Sequence, residues 1–201
     1  MIETLSETNL LHDPFAMFQN WYADAQPGVQ GDPTQMTLAT ADASGRPSAR
    51  IVLLKELDSG GFVFYTNYSS RKGADLAANP QAALLWWWPH QGRQVRVEGS
   101  IEQVPDTVSD AYFASRPRDS QIGAWASEQS SALRDRASLE ERVAQFEKRF
   151  DGQDVPRPPH WGGYRLRPDH FEFWQMGDAR LHDRFGFDLD GGDWLVERLN
   201  P

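Results

Sequence analysis

The apolar positions of this chain change period along its length. Near the start, Phe15, Phe18, Trp21 and Tyr22 share one face of a 3.6-residue repeat, and Asp13-Pro14 before them suits a helix start, so an amphipathic helix is predicted. Residues 26–33 carry two glycines and two prolines and read as a loop. The pattern then turns to β-branched and aromatic runs broken by turn residues. Strands are predicted at 34–41 and 48–57, joined as a hairpin by Asp42-Ala43-Ser44-Gly45-Arg46-Pro47, and at 62–66 after the Asp58-Ser59-Gly60-Gly61 break. Ser69-Ser70 can cap a short helix that stops near Asn79-Pro80, and two further strands follow at 82–88 and 93–104. Three helices are expected outside the sheet: from Pro105 to about Ser115, near 120–126, and over 138–150 with Leu139, Val143, Phe146 and Phe150 at helical spacing. Beyond the extended Val155-Pro156-Arg157-Pro158-Pro159 segment come strands at 163–167, 170–175, 181–189 and 194–199, with Gly191-Gly192 turning the last hairpin.

About nine short strands with tight turns imply a mainly β fold with peripheral helices, an antiparallel, Greek-key-like barrel whose closure removes exposed sheet edges. The expected organisation is a single domain over 13–201 behind a flexible N-terminal arm at 1–12. Apolar residues at 39%, eight of the residues being tryptophan, rule out a disordered acidic chain despite a net charge of -9. That charge argues against a general nucleic-acid or membrane-surface binder, which needs surplus Lys and Arg, so any anionic ligand must meet a local basic pocket. The chain has no cysteine, which removes disulfides, thiolate metal sites and thiol nucleophiles. Residues 1–13 hold no long apolar run, so neither a signal peptide nor a spanning helix is expected; the cytoplasm is the default location, where Asn67-Tyr68-Ser69 is a chance sequon. Neither G-x-G-x-x-G nor a P-loop occurs, and the five histidines lack ligand spacing, so no Rossmann site and no metal are expected.

Four segments carry candidate chemistry. In Tyr65-Thr66-Asn67-Tyr68-Ser69-Ser70-Arg71-Lys72 a strand ends, hydroxyl residues follow, and two cations stand at a helix start, where amides and hydroxyls can hold a phosphate. A capped, solvated helix with two surface cations is the plainer reading. Arg50 and Lys55 flank an apolar strand, and period-two alternation puts them on opposite faces, as strand-end charges or as ligand contacts. Around Ser115-Arg116-Pro117-Arg118-Asp119-Ser120, two arginines beside hydroxyls and Tyr112 form a second possible phosphate cradle, unless Arg118 and Asp119 simply pair. Lastly, a strand would point Arg180, His182 and Arg184 to one face, a cationic wall that favours an anionic ligand over an ion-pair ladder. Trp86-Trp87-Trp88 reads as sheet and interface filling rather than a stacking platform.

Taken in order, R-I-V-L-L-K at 50–55, F-Y-T-N at 64–67, S-R-K at 70–72, R-Q-V at 93–95, S-R-P-R-D-S-Q-I-G-A-W at 115–125, Q-S-S at 129–131 and R-L-H-D-R-F at 180–185 resemble the pyridoxine/pyridoxamine 5'-phosphate oxidase family. The likeness runs from about Asp13 to Pro201. It implies an FMN-binding split β-barrel that forms a homodimer with FMN at the subunit interface. Its cofactor contacts carry over to Arg50, Lys55, Tyr65, Thr66, Arg71, Lys72, Gln94, Gln129, Ser130, Trp174 and Arg184. Its substrate contacts carry over to Lys55, Tyr112, Arg116 and Ser120 for the phosphate, and to Arg180 and His182 beside the pyridine ring; Asp32 matches an acidic position at the edge of the site.

The implied reaction oxidises pyridoxine 5'-phosphate or pyridoxamine 5'-phosphate at C4', giving pyridoxal 5'-phosphate. Two electrons pass to the flavin and on to O2, which leaves as hydrogen peroxide, with ammonia released from the amine. In this scheme Arg180 stabilises developing charge and His182 positions or relays a proton. Family members usually have a longer N-terminal arm with an Arg and a Tyr that close over the substrate, and residues 1–12 contain neither, so weaker substrate retention is expected. Two alternatives stand beside this reading: a sister flavin oxidase acting on another aromatic substrate, such as a phenazine precursor, and a non-catalytic flavin- or pyridoxal-phosphate-binding protein.

Overall fold

The computed structural model describes residues 4–25, 32–58 and 60–201, so most of the loop expected at 26–33, and Ser59 of the expected break, lie outside the described residues. The first helix, α1 (Pro14–Ala25), forms as its stripe predicts and buries Phe18 and Trp21. Nine strands follow in one antiparallel sheet: β1 (Gln35–Ala41), β2 (Pro47–Leu53), β3 (Glu56–Asp58), β4 (Gly61–Asn67), β5 (Gln81–Trp88), β6 (Arg93–Gln103), β7 (Trp161–Gln175), β8 (Asp183–Asp190) and β9 (Asp193–Leu199). The helix α2 (Arg71–Ala78) joins β4 to β5, while α3 (Asp106–Ser115), α4 (Arg118–Ala126) and α5 (Arg136–Arg149) lie between β6 and β7.

The spatial order is β2-β1-β5-β6-β7-β4-β3, with β8 on β7 and β9 on β8. This branching rests on the 15-residue strand β7, whose first half pairs with β4 and whose second half pairs with β8, while β6 runs along its other edge from Tyr164 to Gln175. Two separate strands are predicted at 163–167 and 170–175; they are one. A β-bulge where Glu98 faces His170 but Gly99 faces Pro168 leaves Asp169 unpaired, which accommodates a proline that has no N–H for the ladder.

The predicted strand 48–57 is broken instead. The N–H of Leu54 donates to the carbonyl of Thr34 before β1, whereas that of Lys55 donates to Val63 in β4 (both 2.9 Å). The chain therefore changes neighbours within one residue, and the sheet curls into a split half-barrel. Inside it Phe62, Phe171, Phe173, Phe187 and Trp86 are fully buried, and α1 caps them: Phe18 lies edge-on to Phe62 (4.9 Å) and Trp86 (4.8 Å), and Trp21 to Phe173 (5.2 Å). A second, smaller core of Phe113, Ile122, Phe150, Val155 and Trp161 holds α3–α5 against the start of β7. At the N-terminus, Leu5 is buried in the main core and the carboxylate of Glu7 accepts two bonds from Arg198, so the described part of 1–12 packs on the barrel.

Phe62 touches the rings of Phe15, Phe18, Trp86 and Phe171, where α1 meets both walls of the barrel. Phe62→Ala is expected to lower unfolding free energy by about 3–5 kcal/mol, read from urea denaturation.

Candidate functional site

Because β2 and β4 are not paired to each other, a cleft of about 1140 Å³ opens along the split. Residues from β2, the end of β4, α2, α3, α4 and the segment after α4 line it, including Arg50, Lys55, Tyr65, Thr66, Arg71, Lys72, Tyr112, Arg116, Ser120, Gln129 and Ser130. Arg50 and Lys55 thus share one cleft and do not stand on opposite faces of a strand. The alternation rule fails because β2 ends at Leu53 and Lys55 lies beyond the bend.

At one wall, β4 delivers the chain into α2. Ser70 caps the helix, its Oγ accepting from Gly73 N, and Arg71 and Lys72 follow directly. Lys72 is 7% exposed, yet its Nζ donates only to neutral oxygens, Ser70 Oγ at 3.0 Å and Gln129 Oε1 at 2.8 Å. The nearby carboxylate, Asp75, is taken by Arg50 at 3.7 Å and by the Thr40 hydroxyl at 2.7 Å. Three cations with one carboxylate among them leave net positive charge at a helix N-terminus, the arrangement that binds a phosphate. Burial, and then the charge of Arg50, lowers the Lys72 ammonium to about 8, while burial, with Glu56 and Tyr112 adding to it, raises the Tyr65 phenol to about 12.

Facing this wall is an aromatic stack. Tyr65 lies parallel to Tyr112 at 3.9 Å and to Trp161 at 5.5 Å, and the guanidinium of Arg116 sits over Trp161 at 4.6 Å. Nη1 of Arg116 is buried without any hydrogen-bond partner, and burial lowers the arginine's pKa. Such a donor is costly to leave unmatched and marks a second place where an anion fits. Arg118, the other arginine of the motif, donates instead to the carbonyls of Phe150 and Gln153 and so ties α4 to the end of α5; it pairs neither with Asp119 nor with the cleft. Trp161 has no place among the residues expected from sequence, since nothing in its local pattern separates a platform tryptophan from a core one. Asp32 accepts from the Thr34 N–H and hydroxyl, a turn cap whose carboxyl those bonds, helped by the charge of Lys55, hold below the usual range.

The remaining candidates lie elsewhere. Registers place Trp87, Gln94, Trp174 and Arg184 side by side across β5, β6, β7 and β8, on the sheet face turned away from the core. The cationic wall predicted from Arg180, His182 and Arg184 does not form as a strand. β8 begins only at Asp183, because Ala179 (φ 52) and Arg180 (φ 65) are left-handed and turn the chain. Arg180 is exposed on that turn; His182 packs on Trp174 at 4.4 Å, and its Nδ1 accepts from Gly177 N at 3.2 Å, which leaves the ring proton on Nε2. Roughly 40 Å of strand separates Trp161 at the cleft from Trp174 in this row. The ion-pair alternative holds for Arg184, whose Nε donates to Glu172 at 3.0 Å. Among the described residues no cluster of His, Asp and Glu is arranged to hold a metal ion.

Residues 25–150 match the family described as pyridoxamine 5'-phosphate oxidase. The chain belongs to that family. Residues 161–201 match a region described as the pyridoxine 5'-phosphate oxidase C-terminal dimerisation region, which holds the whole Trp174–Arg184 group. Among relatives, the pyridoxine/pyridoxamine 5'-phosphate oxidase of Cupriavidus necator is 55% identical over all of this chain and 95% of its own, and that of Acaryochloris marina is 50% identical over 99% and 91%. The crystal structure of PhzG from Burkholderia lata in complex with tetrahydrophenazine-1-carboxylic acid superposes with a TM-score of 0.92 at 31% identity, covering 100% of this chain and 99% of that one. A pyridoxamine 5'-phosphate oxidase-related, FMN-binding protein from Nostoc punctiforme shares the fold, with a TM-score of 0.75 at 15% identity over 96% of this chain and 100% of that one. The split half-barrel with peripheral helices is therefore the fold of this family.

Lys72 gives a pH-dependent signature. Folded and ligand-free it loses its proton near pH 8, whereas unfolded it keeps it to about 10.5, so the unfolded state holds more protons in between and stability rises with pH across that window. Phosphate binding runs the other way, because an anion favours the charged ammonium. Affinity for inorganic phosphate, measured by calorimetry at pH 7 and pH 9, is expected to fall several-fold more in the native protein than in Lys72→Met.

Proposed function

We propose that this chain is an FMN-dependent oxidase that converts pyridoxine 5'-phosphate and pyridoxamine 5'-phosphate to pyridoxal 5'-phosphate, with O2 as acceptor and hydrogen peroxide as product. The observation that carries the reading is that one cleft holds two separate groups of net positive charge. Arg50, Arg71 and Lys72 surround the start of α2, and Arg116 with Ser120 stands at the α3–α4 corner, one group for each phosphorylated molecule. The donor chemistry fits FMN: Lys72 meets only neutral oxygens and α2 offers its first amides, so a phosphate there would satisfy both. When bound, the flavin supplies the two-electron acceptor that no side chain of this protein can provide.

The protein's own groups would bind and orient. Arg116, backed by Trp161, would take the substrate phosphate with Lys55, Tyr112 and Ser120, and the stacked rings would wall the cleft against water. Thr66, Gln129 and Ser130 would line the flavin side. Gln94, Trp174 and Arg184 lie outside the cleft of their own chain, as do Arg180 and His182, so the reading requires a homodimer in which each cleft receives this group from the other subunit. The dimerisation-region match, with Trp87 (47% exposed) and Leu195 (53%) on the same sheet face and Leu181 (71%) on the adjoining turn, supports that arrangement. There Arg180 would stabilise charge developing on the ring, and the Nε2 proton of His182 would be available to the reacting group.

A second reading has its own support. The likeness to PhzG fits an oxidase for a different aromatic acid, but the relatives at 50–55% identity carry the phosphate-ester name, and Arg116, half-buried with a partnerless Nη1, suits a phosphate.

The purified protein, mixed with pyridoxine 5'-phosphate under nitrogen, should bleach a bound yellow flavin, and air should restore the colour with pyridoxal 5'-phosphate formed. A flavin that never bleaches would favour the sister oxidase or the non-catalytic binding protein. Arg116→Ala should raise KM for the phosphorylated substrate by about 10- to 100-fold, the loss of a charged hydrogen bond, in steady-state assays. Arg180→Ala should cut turnover strongly with FMN still bound, and colourless protein would make it a cofactor ligand instead.

A further inference from the structure

Glu172 is a carboxylate that the proposed chemistry does not use, and it is 3% exposed on the sheet face turned away from the core. An ionised carboxylate in such a place costs several kcal/mol in desolvation and persists only where its oxygens are matched. Oε1 accepts from Arg184 Nε at 3.0 Å and Oε2 from Arg96 Nη2 at 2.6 Å. Burial raises the pKa of Glu172, but the two arginines outweigh it and keep the group ionised. Arg184 is fixed at a second point, its Nη1 donating to the carbonyl of Asn200 at 2.7 Å, which leaves Nη2 without a partner among the described residues. In the row beside it, the side-chain amide of Gln94 and the indole N–H of Trp174 also have no partner among the described residues, the three residues standing about 4.8 Å apart from strand to strand.

We propose that Glu172 is a positioning residue for the cofactor: it sets the rotamer of Arg184 so that the free edge of the guanidinium lines up with Gln94 and Trp174 as one row of donors to the flavin. Arg96 has a role in this. By holding the second carboxylate oxygen it keeps Glu172 from being drawn wholly onto Arg184, which retains charge for the ligand. Arg96 is itself paired with Glu98 on the same strand, so it serves as a fixed support. The inference rests on the flavin reading above.

The test is FMN affinity for the apoprotein, followed by quenching of flavin fluorescence, in the native protein, Glu172→Gln, Arg184→Ala and the double variant. Glu172→Gln is expected to weaken FMN about tenfold in the native background and less than twofold when Arg184 is already alanine. A purely structural carboxylate would weaken binding equally in both backgrounds, and that result, or native affinity in Glu172→Gln, overturns the proposal. Should Glu172→Gln fail to fold, Glu172→Asp keeps the charge but cannot span both arginines, and the same comparison decides with it. Native apoprotein that binds no FMN would sink the flavin reading itself, and the positioning role with it.

Discussion

A sheet that curls toward closure must either complete its ladder or leave an edge, and here the edge is where the chemistry collects. Leu54 hydrogen-bonds just ahead of β1 and Lys55 to β4, so the run that begins beside β1 continues beside β4. On this side only that crossing of backbone bridges β2 and β4, which the sheet otherwise joins the long way round through β1, β5, β6 and β7. Had β2 gone on pairing with β4, the unmatched backbone groups would have been satisfied and the cleft would not exist. The gap also determines what lines it. Lys55 stands past the bend that ends β2, which is why it and Arg50 meet there.

The split then governs the electrostatics. The chain carries 29 acidic and 20 basic residues, so its surface as a whole repels anions, yet the cleft gathers more cations than the one carboxylate beside Arg50 can neutralise. An acidic exterior around a basic, partly desolvated cleft focuses the field on the opening and favours small anions there. The same excess charge costs stability in the ligand-free protein, and a bound anion would restore what folding gave up.

Much of the fold was legible in the sequence. The stripe on α1, the strand run from β4 to β6 and the three helices follow from apolar period and turn chemistry, because each is decided by neighbours within a few residues. The failures share one cause, a backbone event that no local pattern announces. Residues 48–57 read as one strand, since the change of pairing at Lys55 depends on where β4 arrives. Arg180 and His182 read as strand residues, since Ala179 and Arg180 adopt left-handed angles without a glycine to signal them. Arg116 could be named from its motif, but not the tryptophan beneath it, which comes 45 positions later and packs there only because β7 starts under α3.

The bulge in β7 has a consequence best put as a matter of phase. Before it the even positions Tyr164 and Leu166 point into the barrel; after it the odd positions Phe171 and Phe173 do. The single unpaired residue, Asp169, makes the switch. Were Asp169 paired like its neighbours and the alternation unbroken through it, Glu172 and Trp174 would turn into the core and two phenylalanines out to solvent. One residue without a ladder partner therefore decides which half of this strand's alphabet is interior and which is presented to the outside.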